Sequence, residues 1–183
     1  MFFNAKYFIS PLTQTNVRVL CILILFFSVK SLIGQTTASK DILAQIIDLK
    51  TQNTFVETDT LYINKLIALA TEQRFYNSDS LYILASKSLK LSEKAGYKNG
   101  QATAYMQLGN YYSDNGKHNQ GIEHYSSASE LANELEDSDL RLVAVNDLAG
   151  EYGYKGDYAM ALKLYLEAIE LADLVQNKNM QSI

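Results

Sequence analysis

The sequence predicts an all-α fold, a right-handed α-solenoid of stacked helical hairpins, and three observations carry that prediction. The first is a repeat: Leu108, Gly109, Tyr112, Gly116, Gly121, Tyr125, Ala128 and Leu131 are answered in the same order, and at one constant offset, by Leu148, Ala149, Tyr152, Gly156, Ala161, Tyr165, Ala168 and Leu171. An offset of that size marks a stacked array of small units, not a globule around one closed core. The second is spacing. Apolar and small residues recur at intervals of three and four, the helical period, and short Gly-bearing turns interrupt them. The third is composition, since one Pro, no Trp and 13 Tyr among frequent Ala, Leu, Glu and Lys suit helices.

Residues 1–34 read as a signal peptide or an N-terminal anchor. Lys6 and Arg18 precede an 11-residue apolar run at 19–29, and Gly34 follows just before a polar stretch. That run is short of the ~20 residues a spanning helix needs, which favours cleavage near Gly34. The long, weakly charged stretch before the run leaves an uncleaved anchor open. Either reading predicts an exported protein, in the bacterial periplasm or membrane-associated with its repeats outside the cytoplasm. The lone Cys21 lies inside the apolar run, behind Val19 and Leu20, which is not a lipoprotein arrangement. A processed chain would therefore have no thiol for disulfides, metal sites or nucleophilic chemistry.

Residues 35–57 supply a linker and a short amphipathic capping helix at 40–50. Residues 58–98 read as a degenerate hairpin: Leu61, Leu66, Ala68 and Leu69 mark its first helix, while Leu81, Ala85, Ser88 and Leu91 match Gly121, Tyr125, Ala128 and Leu131. The unit at 99–138 is clearer. Ala102, Tyr105, Leu108, Gly109 and Tyr112 share one helical face, Gly116 stops that helix, and Ile122, Tyr125, Ala128, Leu131 and Leu135 form the second. Glu136, Asp137 and Ser138 then make a solvated turn whose Asp or Ser can cap the next helix. Residues 139–178 repeat the plan, and 179–183 read as the start of a further, truncated repeat, because Asn177, Gln181 and Ile183 align with Asp137, Arg141 and Val143.

Small residues explain the repeated spacing between units. Helix axes ~8–10 Å apart leave no room for long side chains at a crossing. Gly109, Gly121 and Ala128, with Ala149, Ala161 and Ala168, supply that clearance. The last full helix is apolar almost all round, with Met160, Leu162, Leu164, Leu166, Ile169, Leu171, Leu174 and Val175, where its predecessor offers His124, Ser127 and Ser129 on the outward side. The sequence therefore expects this surface to be covered, either by a continuation of the array or by self-association through the C-terminal repeat.

Tyr105, Leu108, Gly109, Tyr112, Gly121, Tyr125 and Ala128, and again Leu148, Ala149, Tyr152, Ala161, Tyr165 and Ala168, resemble the tetratricopeptide repeat. Val145 stands where that family prefers a large aromatic. The period of about 40 and the missing proline place the resemblance in a longer-period branch, similar to the exported repeat region of bacterial two-component sensor kinases and related transcriptional regulators. The resemblance implies a non-enzymatic scaffold that binds a partner peptide or helix on the concave face formed by the first helix of each hairpin. It also implies, as the alternative, the N-terminal sensory part of a signalling protein. Carried over residue by residue, the partner-binding positions are Thr103, Met106, Gln107, Asn110, Ser113 and Asp114, then Val143, Asn146, Asp147, Gly150 and Tyr154. This set has amides and carboxylates but no Lys or Arg. It therefore disfavours a terminal carboxylate as ligand and favours a neutral or basic segment.

The chemistry of the chain points the same way. No phosphate loop, nucleophile elbow or dinucleotide fingerprint appears, so the sequence predicts neither an enzyme nor a cofactor. His118 and His124 stand six apart, not at the three or four of a helical metal pair; Asp114 and Glu123 could complete only an improvised site, and no metal is expected. Charge also disfavours nucleic acid: beyond residue 34 the chain holds 13 bases against 20 acids. Membrane contact is expected only through the N-terminal segment or a missing C-terminal part.

Overall fold

The computed structural model describes residues 36–181; the signal or anchor expected at 1–34 lies outside them. Among the described residues there are seven helices and no strand: α1 Thr37–Thr51, α2 Thr60–Gln73, α3 Ser78–Ala95, α4 Lys98–Asp114, α5 His118–Glu134, α6 Ser138–Tyr154 and α7 Tyr158–Gln181. Each helix packs on the next, and α2 also meets α4 while α4 meets α6. The second helices α3, α5 and α7 do not meet one another. The first helices therefore form the inner row of a solenoid of hairpins.

Local chemistry starts and stops these helices. Thr36, Asp59, Asn77 and Asp137 each accept a backbone N–H of the first turn, at 3.0, 2.7, 2.9 and 3.0 Å. The C-termini of α3 to α6 close alike, on a residue in the left-handed region: Gly96 (φ 63°), Gly116 (φ 69°), Glu136 (φ 55°) and Gly156 (φ 80°), evenly spaced along the chain. In each case the next N–H reaches back five positions, as from Lys117 to the Tyr112 carbonyl at 2.8 Å and from Asp137 to that of Ala132 at 2.9 Å. These are Schellman closures, which satisfy carbonyls that the helix end leaves free.

The core is a line of small clusters. Ile46, Tyr62, Ile63, Leu66, Ile67 and Leu91 fill the amino-terminal end, and Ala70, Leu81, Ala85 and Leu108 the next space. Met106, Tyr125, Ala128, Ala144 and Leu148 join the second hairpin to the third, and Val145, Ala168 and Leu171 close the last. Gly109 leaves room for an aromatic ring on the facing helix. A Cβ there would stand 2.5 Å from the Tyr125 ring.

Two expectations need correction. Gly121 does not serve the crossing within its own hairpin; the space above it holds the carboxylate of Glu151 from α6, 3.0 Å from where a Cβ would lie. Helix α7 does not break near 178 to begin a further repeat at 179 but runs on to Gln181. Its last residues, Gln176 to Gln181, hold neither Gly nor Pro to stop it.

Candidate partner-binding surface

Because α2, α4 and α6 stand side by side, positions one repeat apart face similar surroundings, except that α2 and α4 each have a following first helix against them. That difference sorts the expected partner-binding residues into two groups. On α4, Met106 is in the core against Ala144 and Leu148 of α6. Gln107 is buried. Asn110 is buried as well, and its Oδ1 accepts the Tyr125 hydroxyl at 2.8 Å. Thr103 is half-buried and donates to the Asn99 carbonyl at 2.9 Å. Met106, Gln107 and Asn110 are thus packing residues and not open groove positions: α6 meets Met106, and the Tyr125 hydroxyl ties Asn110 within its own hairpin.

The remaining two residues of the α4 set are engaged across repeats. Asp114 receives a bidentate grip from Arg74, just past the end of α2, with Nε at 2.8 Å and Nη2 at 2.9 Å. The inner row therefore does contain a cation, contrary to the sequence reading, which began the groove at residue 103 and passed over the degenerate hairpin. Ser113 donates to Glu151, and His118 Nδ1 lies 2.8 Å from the other oxygen of that carboxylate. Glu151 is 2% exposed. It links α4, the start of α5 and α6, so His118 is an inter-repeat contact and not a solvated turn residue. Sequence reasoning missed Glu151 because only the stacking shows that the hole left by Gly121 is the carboxylate's seat.

On α6 the outcome is the reverse. Val143 (49% exposed), Asn146 and Tyr154 (75%) are open, and Asp147 and Gly150 are half-buried. Tyr154 stacks on the His118 ring at 5.1 Å. Burial raises the Asp147 carboxyl above the usual range, opposed by a hydrogen bond from Asn146 and by the Arg74 charge and assisted by Glu151 and Asp114. Burial likewise pushes the Tyr125 phenol far up, with Asp147 adding to it. Arg74 is held charged by its bond to Asp114 against the effect of its own burial. These groups share one electrostatic neighbourhood in which three carboxylates outnumber one guanidinium.

Helix α7 is also exposed at several apolar positions. Tyr158, Leu162, Tyr165, Leu166, Ile169 and Leu174 are exposed, whereas Ile122 and Tyr125, the counterparts of Leu162 and Tyr165 on α5, pack into the cluster that α6 completes. His124, expected to point outward, instead stacks between Tyr112 at 5.0 Å and Tyr105 at 5.8 Å. Burial lowers its pKa, and its Nδ1 has no partner. Among the described residues no three His, Cys, Asp or Glu converge as a metal site would require, and no helix is long and apolar enough to cross a membrane.

A comparison with curated proteins finds no match. A family model for the tetratricopeptide repeat matches residues 100–173, from the first turn of α4 into the second half of α7. The matched stretch contains the hairpin in which Gly109 meets the Tyr125 ring and Ala128 is buried, and the next, in which Ala149 and Ala168 are buried while Tyr165 is exposed. Over these residues the chain is similar to the tetratricopeptide repeat family.

Proposed function

We propose that this chain is a non-enzymatic scaffold whose partner, a helix or extended segment of another protein, docks along α6 and the adjoining side of α7. Repeats of this family suggest a role in protein–protein interaction. One observation carries the finer reading: α6 covers α4 and α5 at Met106, Ile122 and Tyr125, while the corresponding Asn146, Leu162 and Tyr165 stand open. The partner surface is thus narrower than the whole row of described first helices. The apolar run at 19–29 behind Lys6 and Arg18 supports export, which puts the partner outside the cytoplasm.

The test uses the full chain and the double variant Val143→Glu, Leu162→Glu as bait. Both positions are exposed, so helicity by circular dichroism should be unchanged, while capture of the partner retained by the wild type should fall at least tenfold, as expected for charges placed inside an apolar contact. Equal capture by both baits would remove α6 and α7 as the docking surface.

A further inference from the structure

The inner row carries the same position on three successive helices: Ile67 on α2, Gln107 on α4 and Asp147 on α6. Ile67 is 6% exposed and Gln107 is 7% exposed, and each has a following first helix packed against its own. Among the described residues no further helix packs on α6 in that way, and Asp147 is half-buried. A helix laid on α6 as α6 lies on α4 would bring Asp147 to the burial of Gln107. Gln107 tolerates that place as a neutral amide, even with its Oε1 left without a partner. A carboxylate so enclosed is strongly disfavoured unless a cation meets it.

Among the described residues no cation pairs with Asp147. Arg74 is committed to Asp114 through two hydrogen bonds, and Glu151 is already shared between His118 and Ser113. Asn146 gives Asp147 a hydrogen bond but no charge, and Asp114 and Glu151 repel it. Burial already holds the Asp147 carboxyl above its usual range in the uncovered state. The Arg74–Asp114 pair shows how the array handles an acid at such a junction, with a basic side chain reaching across from the neighbouring repeat.

We propose that the partner seated on α6 and α7 is a basic amphipathic helix of another protein, its apolar side on Leu162 and Tyr165 and a lysine or arginine placed against Asp147. The inference rests on the docking reading above and adds the partner's charge to it. The probes are two fluorescent helical peptides of roughly 18 residues, five turns, with the same leucine face and a polar face of either lysine or glutamate. Their binding to the full chain is followed by anisotropy at pH 7.

The wild type should prefer the lysine peptide, and Asp147→Asn should weaken that peptide's binding by about tenfold, the scale of one lost charge-assisted hydrogen bond. Glu130→Gln, an exposed change of equal charge on α5, should leave it nearly untouched. Similar losses in both variants would assign the preference to net charge and overturn the inference. Equal binding of the two peptides would overturn it while leaving the docking surface standing. Binding of neither would remove the docking surface as well.

Discussion

Glu136 shows how a single backbone angle decides a residue's contribution. It occupies the left-handed position that Gly96, Gly116 and Gly156 fill at the other three closures. A Cβ is disfavoured there by roughly 1–2 kcal/mol, partly offset by the greater freedom glycine has when unfolded. Glu136→Gly should therefore raise stability by about 0.5–1 kcal/mol in urea unfolding; a fall would mean that the side chain makes a contact worth more than the strain. Gly109 has the opposite constraint. Gly109→Ala gains helix propensity but drives a methyl into the Tyr125 ring, which is buried and tied to Asn110, so a net loss of about 1–2 kcal/mol is expected in the same measurement. His124 brings in pH. Its pKa is lowered in the fold by burial between Tyr105 and Tyr112, with Glu123 the opposing charge. A depressed value means that the unfolded chain binds the proton more readily, so this group's stability is present above its unfolded pKa and lost as pH falls through the folded one. His124→Gln should flatten the decline in melting temperature between pH 7 and pH 5, and an unchanged slope would assign that decline to other groups.

At the scale of one helix, α6 and α7 differ from α4 and α5 by what lies over them. Asp147 carries the electrostatic sign of that difference. Its carboxyl is raised by burial, so its folded form favours the proton; the stability linked to it is present below the unfolded pKa and lost as pH rises through the folded value. Asp147→Asn should thus raise the melting temperature at pH 7 and not at pH 3, and a loss at pH 7 would show that the Arg74 field outweighs the burial. Ala128 tests packing within a hairpin. It is fully buried in the cluster with Met106, Tyr125 and Leu148, and Ala128→Leu should cost about 1–3 kcal/mol by overpacking, read as a lower urea midpoint. The Gly121 position shows the limit of element-level reading. The small residue was legible as a close approach, but whether it admitted a helix or a side chain depended on Glu151 from the next hairpin.

For the whole molecule, stability is a sum over neighbours. No cluster spans the array, and the clusters follow one another along it, so local opening should track how many sides of a helix are covered. Among the described residues, helices α4 and α5 have packed neighbours on both sides, whereas α1 packs only on α2 and α7 only on α6. Amide exchange should be slowest in α4 and α5 and at least tenfold faster in α1 and the last turns of α7. Uniform protection would mean that the solenoid unfolds as one unit.

The sequence by itself determined the class, the hairpin plan and the small residues at the contacts, because helical period and a regular repeat are local properties written in residue order. It also marked the apolar excess of α7. Tertiary structure decided which groove residues stay open. Met106 and Asn146 are interchangeable in a repeat alignment, yet one is core and the other surface, since burial depends on whether another helix lies above. It likewise decided that Arg74 grips Asp114, that His118 and Ser113 share Glu151, and that among the described residues no cation pairs with Asp147. The groups concerned stand far apart in the chain, and only the stacking of one hairpin on the next brings them together.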